Sequence, residues 1–287
     1  MQDVQGAPRE VGVIGGGRMG AGIAQVFATG GARVSVVENG AAAAEAARAR
    51  LADGLAKAAE RGKLAEDPEA VLVRVSVVDG IDRLPADADL VVEAVPELAD
   101  LKVGVLAAAE AVLGERTVLA SNTSSLPITE LGAALRVPSR FLGMHFFNPV
   151  PASKLVEVVH APDTAGEVVQ QVREWVRGLG KADVVVRDSP GFATSRLGVL
   201  LGLEAVRMLE EGVADAAAID AAMELGYRHP MGPLRSTDLV GLDVRLAIAE
   251  HLRGALGERF APPRLLRDKV AAGELGRKTG RGFHNWD

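Results

Sequence analysis

Three short segments hold the residue types best suited to chemistry. Residues 120–126 read Ala-Ser-Asn-Thr-Ser-Ser-Leu and place Asn122 and Ser124 just after an apolar run. Residues 144–149 read Met-His-Phe-Phe-Asn-Pro and place His145 and Asn148 after another. Residues 154–159 read Lys-Leu-Val-Glu-Val-Val and add Glu157, twelve positions beyond His145. An imidazole gains and loses its proton near neutral pH, and a carboxylate within reach fixes its tautomer and raises its basicity. A His–Glu pair with a hydroxyl nearby suits oxidation of a secondary alcohol: the imidazole takes the hydroxyl proton while hydride leaves the same carbon.

A hydride needs an acceptor, and the N-terminal stretch offers a place for one. Residues 11–20, Val-Gly-Val-Ile-Gly-Gly-Gly-Arg-Met-Gly, set Gly15, Gly17 and Gly20 in a G-x-G-x-x-G pattern. The pattern is weak alone; here it follows an apolar strand, opens a helix and precedes a second strand ending in Glu38, which makes it specific for a dinucleotide. Gly15 permits the tight turn, Gly17 lets the backbone approach a pyrophosphate, and Gly20 lets the helix pack on the sheet. The free N–H groups of the helix start receive the negative charge. Glu38, 18 residues after Gly20, would accept from both ribose hydroxyls and repel a 2′-phosphate, which favours NAD over NADP.

These groups must be carried by a framework. Apolar segments 11–14, 33–38, 90–94, 118–121 and 141–145 read as strands, with helices over 19–29, 41–61, 97–113 and 127–135 between them. Further strands are predicted at 154–159 and 183–187, around a helix over 166–179. Apolar strands alternating with helices imply βαβ crossovers and a buried parallel sheet, a Rossmann-like doubly wound α/β fold. After Asp188-Ser-Pro-Gly only amphipathic helices follow, at roughly 193–211, 214–225, 236–256 and 262–272. The predicted division is a front domain over 1–188 and a smaller all-helical domain over 189–287.

The bulk properties set outer limits. In 287 residues, 48% are hydrophobic and 24% charged, enough for a sizeable core. The net charge of −6 argues against nucleic acid as the main partner. Without cysteine there is no disulfide, thiolate catalysis or Cys-ligated metal, and no His/Asp/Glu grouping has metal-ligand spacing. The N-terminus lacks a signal-peptide pattern and no 18-residue apolar stretch is free of charge, so no membrane association and a cytoplasmic location are expected.

With these motifs in order, the chain resembles the L-3-hydroxyacyl-CoA dehydrogenase family, most closely its bacterial 3-hydroxybutyryl-CoA branch. The resemblance runs from the glycine loop through 92–97 (Val-Glu-Ala-Val-Pro-Glu), 121–126, 145–149, Pro190-Gly-Phe192, 229–233, 238–243 and 276–283. It implies NAD as cofactor, an acyl-CoA thioester as substrate and a homodimer formed through the helical domain. It implies His145 as general base, Glu157 as its orienting acid and Ser124 as the hydroxyl on the substrate oxygen. Glu97, Lys102, Asn122 and Asn148 match positions around the nicotinamide half of the cofactor, and Lys278 matches another cofactor contact. The family usually carries Asn where this chain has Ser195, a shorter donor and acceptor still able to serve the substrate oxygen. The family's Ser and Lys contacts to CoA fall near Gly54 and Arg61, leaving Arg61 and Lys63 to meet the CoA phosphates.

The other candidates read as structural. His160 is assigned to packing or surface, His229 to a turn, and His251 and His284 to an exposed helix and tail. Ser121 and Ser125 are assigned to backbone satisfaction, Glu93 to a solvated strand end, and Arg277 and Arg281 to the surface. Two rival functions stand beside the first: oxidoreduction of a hydroxyacyl group on a carrier protein or of a free polyol acid, and NAD binding without catalysis.

Overall fold

The computed structural model describes residues 7–286. Residues 1–6 and Asp287 lie outside the described residues, and with them most of the segment behind the signal-peptide reading. The chain divides into two compact units, residues 1–188 and 189–287.

The first unit runs β1 (Glu10–Ile14), α1 (Arg18–Thr29), β2 (Arg33–Glu38), α2 (Ala41–Glu60), α3 (Pro68–Leu72), β3 (Val75–Asp79), β4 (Leu90–Glu93), α4 (Ala99–Val112), β5 (Val118–Ser121), α5 (Ile128–Gly132), β6 (Phe141–Phe146), β7 (Leu155–His160), α6 (Gly166–Gly178) and β8 (Ala182–Arg187). Among the described residues these strands form one sheet in the order β3-β2-β1-β4-β5-β6-β7-β8. Val11, Val13, Val36, Leu90, Val91, Val92 and Val118 are fully buried, as continuous apolar strands covered by helices on both faces must be. Helix α1 turns Ile23, Ala24, Phe27 and Ala28 inward, one stripe of a 3.6-residue repeat, onto that sheet. The doubly wound architecture expected from the alternation is present.

Two features differ from the sequence reading. Strand β3 has no counterpart among the expected strands, although its Val-Ser-Val-Val-Asp repeats the Val-Ser-Val-Val-Glu of β2; it is the edge strand next to β2, with half-buried valines and exposed Ser76 and Asp79. The β6–β7 pair is antiparallel, the only such pair among the described strands. Just eight residues, 147–154, separate these strands, whereas a parallel crossover needs about a dozen or more.

The second unit holds α7 (Thr194–Glu210), α8 (Ala216–Tyr227), α9 (Pro233–Val240), α10 (Leu242–Leu256) and α11 (Arg264–Ala271). They surround a core that includes Val199, Leu203, Val206, Leu234, Leu242, Leu252 and Phe260. The single helix expected over 236–256 is two helices. Gly241 at φ 106° interrupts it, in a backbone region open to glycine and costly for other residues. His284 is not the exposed tail residue expected: its Nε2 lies 2.8 Å from Oδ2 of buried Asp220. Buried Asp238 accepts from the Phe283 and His284 N–H groups and from the Trp286 indole, so the C-terminal segment is stitched to α8 and α9. Among the described residues no helix is long and apolar enough to cross a membrane.

Candidate active site

The sheet reverses its winding between β1 and β4, and ligands of open α/β sheets bind beyond the carboxyl ends of strands at such a switch point. The glycine loop lies there. Gly15 has φ 98°, and a Cβ on it would stand 3.0 Å from the Ala94 carbonyl after β4. A Cβ on Gly20 would fall 1.7 Å from the Gly15 carbonyl, so Gly20 is required chiefly for the loop to close on its own helix, more than for packing on the sheet. Above Gly17 there is open space, and Gly17 caps α1, whose first-turn N–H groups have no carbonyl partner within the helix. Glu38 ends β2 with Oε1 2.6 Å from the Gly16 nitrogen, so the carboxylate stands against the loop. Gly16, an unspecified position of the motif, is constrained as well: its Cβ would sit 2.5 Å from that of Ala47. Open backbone over a helix N-terminus with a carboxylate at the neighbouring strand end fits a dinucleotide. Arg33, by contrast, starts β2 at the opposite edge and pairs with Glu10.

Along the same carboxyl edge, His145 on β6 and Glu157 on β7 are direct register partners. His145 Nδ1 lies 2.8 Å from Glu157 Oε2; the imidazole is 7% exposed and the carboxylate fully buried. With Nδ1 carrying the proton toward Glu157, Nε2 is left as the basic nitrogen. The Phe147 ring packs at 4.4 Å between centroids from the imidazole and limits its rotation.

The loop after β5 carries the hydroxyls. Asn122 Oδ1 accepts from the Phe146 N–H at 2.9 Å, which ties this loop to the strand bearing His145. Ser124 is half-buried, and Asn148 is exposed in the turn after β6. Glu97 gathers the loop: its Oε1 accepts from the Thr123 hydroxyl at 2.6 Å, the Ser124 N–H at 2.9 Å, the Ser125 N–H at 3.1 Å and the Ser125 hydroxyl at 2.9 Å. Burial pushes the Glu97 carboxyl up, but the Thr123 hydroxyl, the Lys102 ammonium and the Ser124 and Ser125 donors outweigh it and hold the group below its ordinary 4.5.

Lys102 lies behind this loop, and its partner Glu93 departs from the reading of the sequence. Lys102 is 1% exposed, and its ammonium meets Glu93 Oε1 at 2.6 Å, the Val95 carbonyl at 3.0 Å and Glu97 Oε2 at 3.3 Å. The first two are hydrogen bonds and the third an ion pair. Glu93, expected to be solvated, is fully buried and also accepts from the Ser121 hydroxyl at 2.6 Å. Nothing in the local pattern Leu-Val-Val-Glu signals that burial; only the sheet position of β4, between β1 and β5, does.

A cavity of about 560 Å3 opens beside α1 and α2, lined in part by Gln25, Gly54, Lys57, Arg61, Lys63 and Lys181. Arg61 and Lys63 are exposed at its rim. A side chain at Gly54 would meet Gln25 Oε1 at 2.5 Å, and Gln25 donates to the Gly54 carbonyl at 3.2 Å, so Gln25 occupies the space a serine would need.

In the second unit, Ser195 is half-buried in the first turn of α7. Lys278 is exposed and bonds both Asp243 oxygens at 2.6 Å. Burial raises the Asp243 carboxyl, but Lys278 and backbone donors outweigh it and hold it below its ordinary value.

Comparison with known proteins bears on the whole chain. The family described as "3-hydroxyacyl-CoA dehydrogenase, NAD binding domain" matches residues 10–189, and its C-terminal domain matches residues 191–286. A probable 3-hydroxybutyryl-CoA dehydrogenase of Deinococcus radiodurans is 43% identical over 276 residues, covering 96% of this chain and 99% of its own. A 3-hydroxyadipyl-CoA dehydrogenase of Escherichia coli is 42% identical over 279 residues, covering 96% of this chain and 58% of its own. The crystal structure of (S)-3-hydroxybutyryl-CoA dehydrogenase from Ralstonia eutropha superposes with a TM-score of 0.92 at 41% identity, covering 98% of this chain and 100% of its own. With both family domains matched in sequence order and relatives above 40% identity across nearly its full length, the chain belongs to the 3-hydroxyacyl-CoA dehydrogenase family.

Proposed function

We propose that this protein interconverts an (S)-3-hydroxyacyl-CoA, such as 3-hydroxybutyryl-CoA, and the 3-ketoacyl-CoA with NAD. The observation that carries this reading is the His145–Glu157 pair, 2.8 Å apart at the carboxyl edge of the sheet that also carries the glycine loop.

NAD, when bound, supplies the acceptor for the hydride that leaves the carbinol carbon. Gly15, Gly17 and Gly20 would shape its pyrophosphate seat, Glu38 would hold the adenosine ribose, and Asn122, Asn148, Glu97, Lys102 and Lys278 would serve its nicotinamide side. Nε2 of His145 takes the hydroxyl proton as the O–H bond breaks. Buried Glu157 stabilises the imidazolium so formed, and Ser124 holds the substrate oxygen, with Ser195 as a second hydroxyl. In the reverse direction, protonated His145 returns that proton to the ketone oxygen. Arg61 and Lys63 receive CoA phosphates at the rim of the cavity beside α2.

The helical unit would form a homodimer in the cytoplasm. Its exposed Leu197 and Leu200 on α7, Leu239 and Val240 on α9 and Val244 on α10 are apolar side chains that a partner surface would cover, which supports that assembly.

The test follows NADH absorbance with acetoacetyl-CoA, with longer 3-ketoacyl-CoAs, with the same acyl group on a carrier protein, and with NADPH. Turnover of acetoacetyl-CoA with NADH supports the reading. Turnover of the carrier-bound substrate alone would favour the carrier alternative, and NADH binding without turnover of any substrate would favour the non-catalytic one.

A further inference from the structure

Arg245 of α10 carries a guanidinium that its own unit leaves unanswered. Its Nε is the one buried side-chain nitrogen or oxygen among the described residues without a hydrogen-bond partner. Buried polar groups are nearly always paired, so an exception asks for a reason. The carboxylates of its own helix, and of α7 against which it packs, are engaged elsewhere. Asp243 is held by Lys278, Glu250 by Arg267 and Glu204 by Arg207, while Glu210 accepts the Leu265 N–H. Burial pushes the Arg245 guanidinium below its ordinary value, as expected of a cation with little water and no counter-charge.

The place of this cation suggests what it is for. A Cβ on Gly198 of α7 would stand 3.4 Å from Arg245 Nη1 and 3.9 Å from Nη2, so the guanidinium lies on the bare backbone of α7 at that glycine. A methyl there would just touch it, and a longer side chain would take its space. Gly198 comes three residues after Ser195, and positions three apart share a helix face with Cβ atoms about 5–6 Å from each other. Nη1 is thus within about 9 Å of the Ser195 Cβ. Ser195, Gly198 and Arg245 are all half-buried, so none of them is sealed in the core.

Arginine presents a planar fork of N–H donors that matches a carboxylate with two hydrogen bonds. In an acyl chain with two methylenes between the carbinol carbon and a terminal carboxylate, about 6 Å separates the hydroxyl oxygen from the acid. A hydrogen bond of about 3 Å at either end lets one such molecule meet Ser195 and Arg245 together. A hydrocarbon end of the same length would leave the guanidinium desolvated and still unpaired, which is costly.

We propose that Arg245 receives the free carboxylate of a 3-hydroxyacyl-CoA whose acyl chain itself ends in an acid, so that dicarboxylic acyl groups of about six carbons are favoured over plain fatty acyl groups. The inference rests on the reading of Ser195 as a hydroxyl serving the substrate oxygen, and it names the substrate class of that same site.

The test uses the full chain and Arg245→Met. Turnover is compared between 3-ketoadipyl-CoA and 3-ketohexanoyl-CoA, and binding by calorimetry between the unreactive adipyl-CoA and hexanoyl-CoA. In the parent, the dicarboxylic member of each pair should be favoured by about ten- to a hundredfold in kcat/KM and in affinity, the value of hydrogen bonds to a charged group. In Arg245→Met both ratios should fall to about one. A parent that favours the hexanoyl member or neither, or ratios that Arg245→Met leaves unchanged, would overturn the proposal. Loss of a dimer in sedimentation with the ratios unchanged would also overturn it, by assigning the acceptor to a second copy of the chain. Should Arg245→Met fail to fold, Arg245→Gln takes its place with the same outcomes deciding. The binding arm is independent of hydride transfer. Preference for adipyl-CoA without turnover of any ketoacyl-CoA keeps the carboxylate site and removes the oxidoreductase reading, whereas turnover of acetoacetyl-CoA without that preference does the reverse.

Discussion

His145 and Glu157 face each other across the antiparallel β6–β7 pair, so their 2.8 Å contact is set by strand register. In Glu157→Gln the amide can donate to Nδ1 and hold the ring in the tautomer that blocks Nε2 as a base. A fall in kcat of about 10²–10⁴ is expected, with NADH binding kept. His145→Ala should fall in the same range. Either variant turning over at the parental rate would remove the pair from the mechanism.

Glu38 presents one carboxylate at the glycine loop, 2.6 Å from the Gly16 nitrogen. Hydrogen bonds to a charged group contribute about 1.5–3 kcal/mol, so Glu38→Ala should lower kcat/KM for NAD by about ten- to a hundredfold. The value for NADP should change far less. The ratio of the two, measured side by side, is the check, and an unaltered ratio would count against ribose recognition by Glu38.

Glu97 is held below its ordinary value of 4.5 despite burial, by Thr123, Lys102 and the loop amides. A carboxyl depressed by folding stabilises the native state above its unfolded value, and that stabilisation is lost as pH falls through the folded value. Thermal melts of Glu97→Gln and the parent should therefore differ by a constant amount from about pH 6 to 8 and converge below about pH 4.5. A gap that widens toward acid would show the sign to be wrong.

Arg61 and Lys63 stand at the rim of the cavity beside α2. The double variant Arg61→Ala/Lys63→Ala should raise KM for acetoacetyl-CoA by about threefold to tenfold with kcat unchanged, as loss of exposed ionic contacts implies. An acetoacetyl thioester of pantetheine, which lacks the nucleotide phosphates, should show no difference. An equal rise for both substrates would move the CoA phosphates elsewhere.

Ser195, in the first turn of α7, stands where the family resemblance implies an Asn. If it serves the substrate oxygen, Ser195→Asn should raise kcat/KM by about threefold to tenfold, the value of one added hydrogen bond, without altering NADH affinity. Unchanged kinetics across acyl chain lengths would place Ser195 outside the substrate contacts.

Whatever local pattern carries was legible from the residues alone. Apolar strands alternating with helices specify a doubly wound sheet because burial on both faces admits few polar residues, and the glycine spacing specifies a loop because a Cβ at Gly20 would collide with its own turn. His145 and Glu157 could be named from type, spacing and family resemblance. The rest was settled by contacts between residues far apart in the chain. Half-buried β3, which repeats the local pattern of β2, took its place at the edge of the sheet by pairing with β2. Glu93 became a buried ion-pair partner through the position of β4 between β1 and β5, and Lys102 turned inward to meet it. Whether a charged side chain meets water or a counter-charge depends on what the sheet and helices place around it, and the identity of its neighbours along the chain does not contain that information.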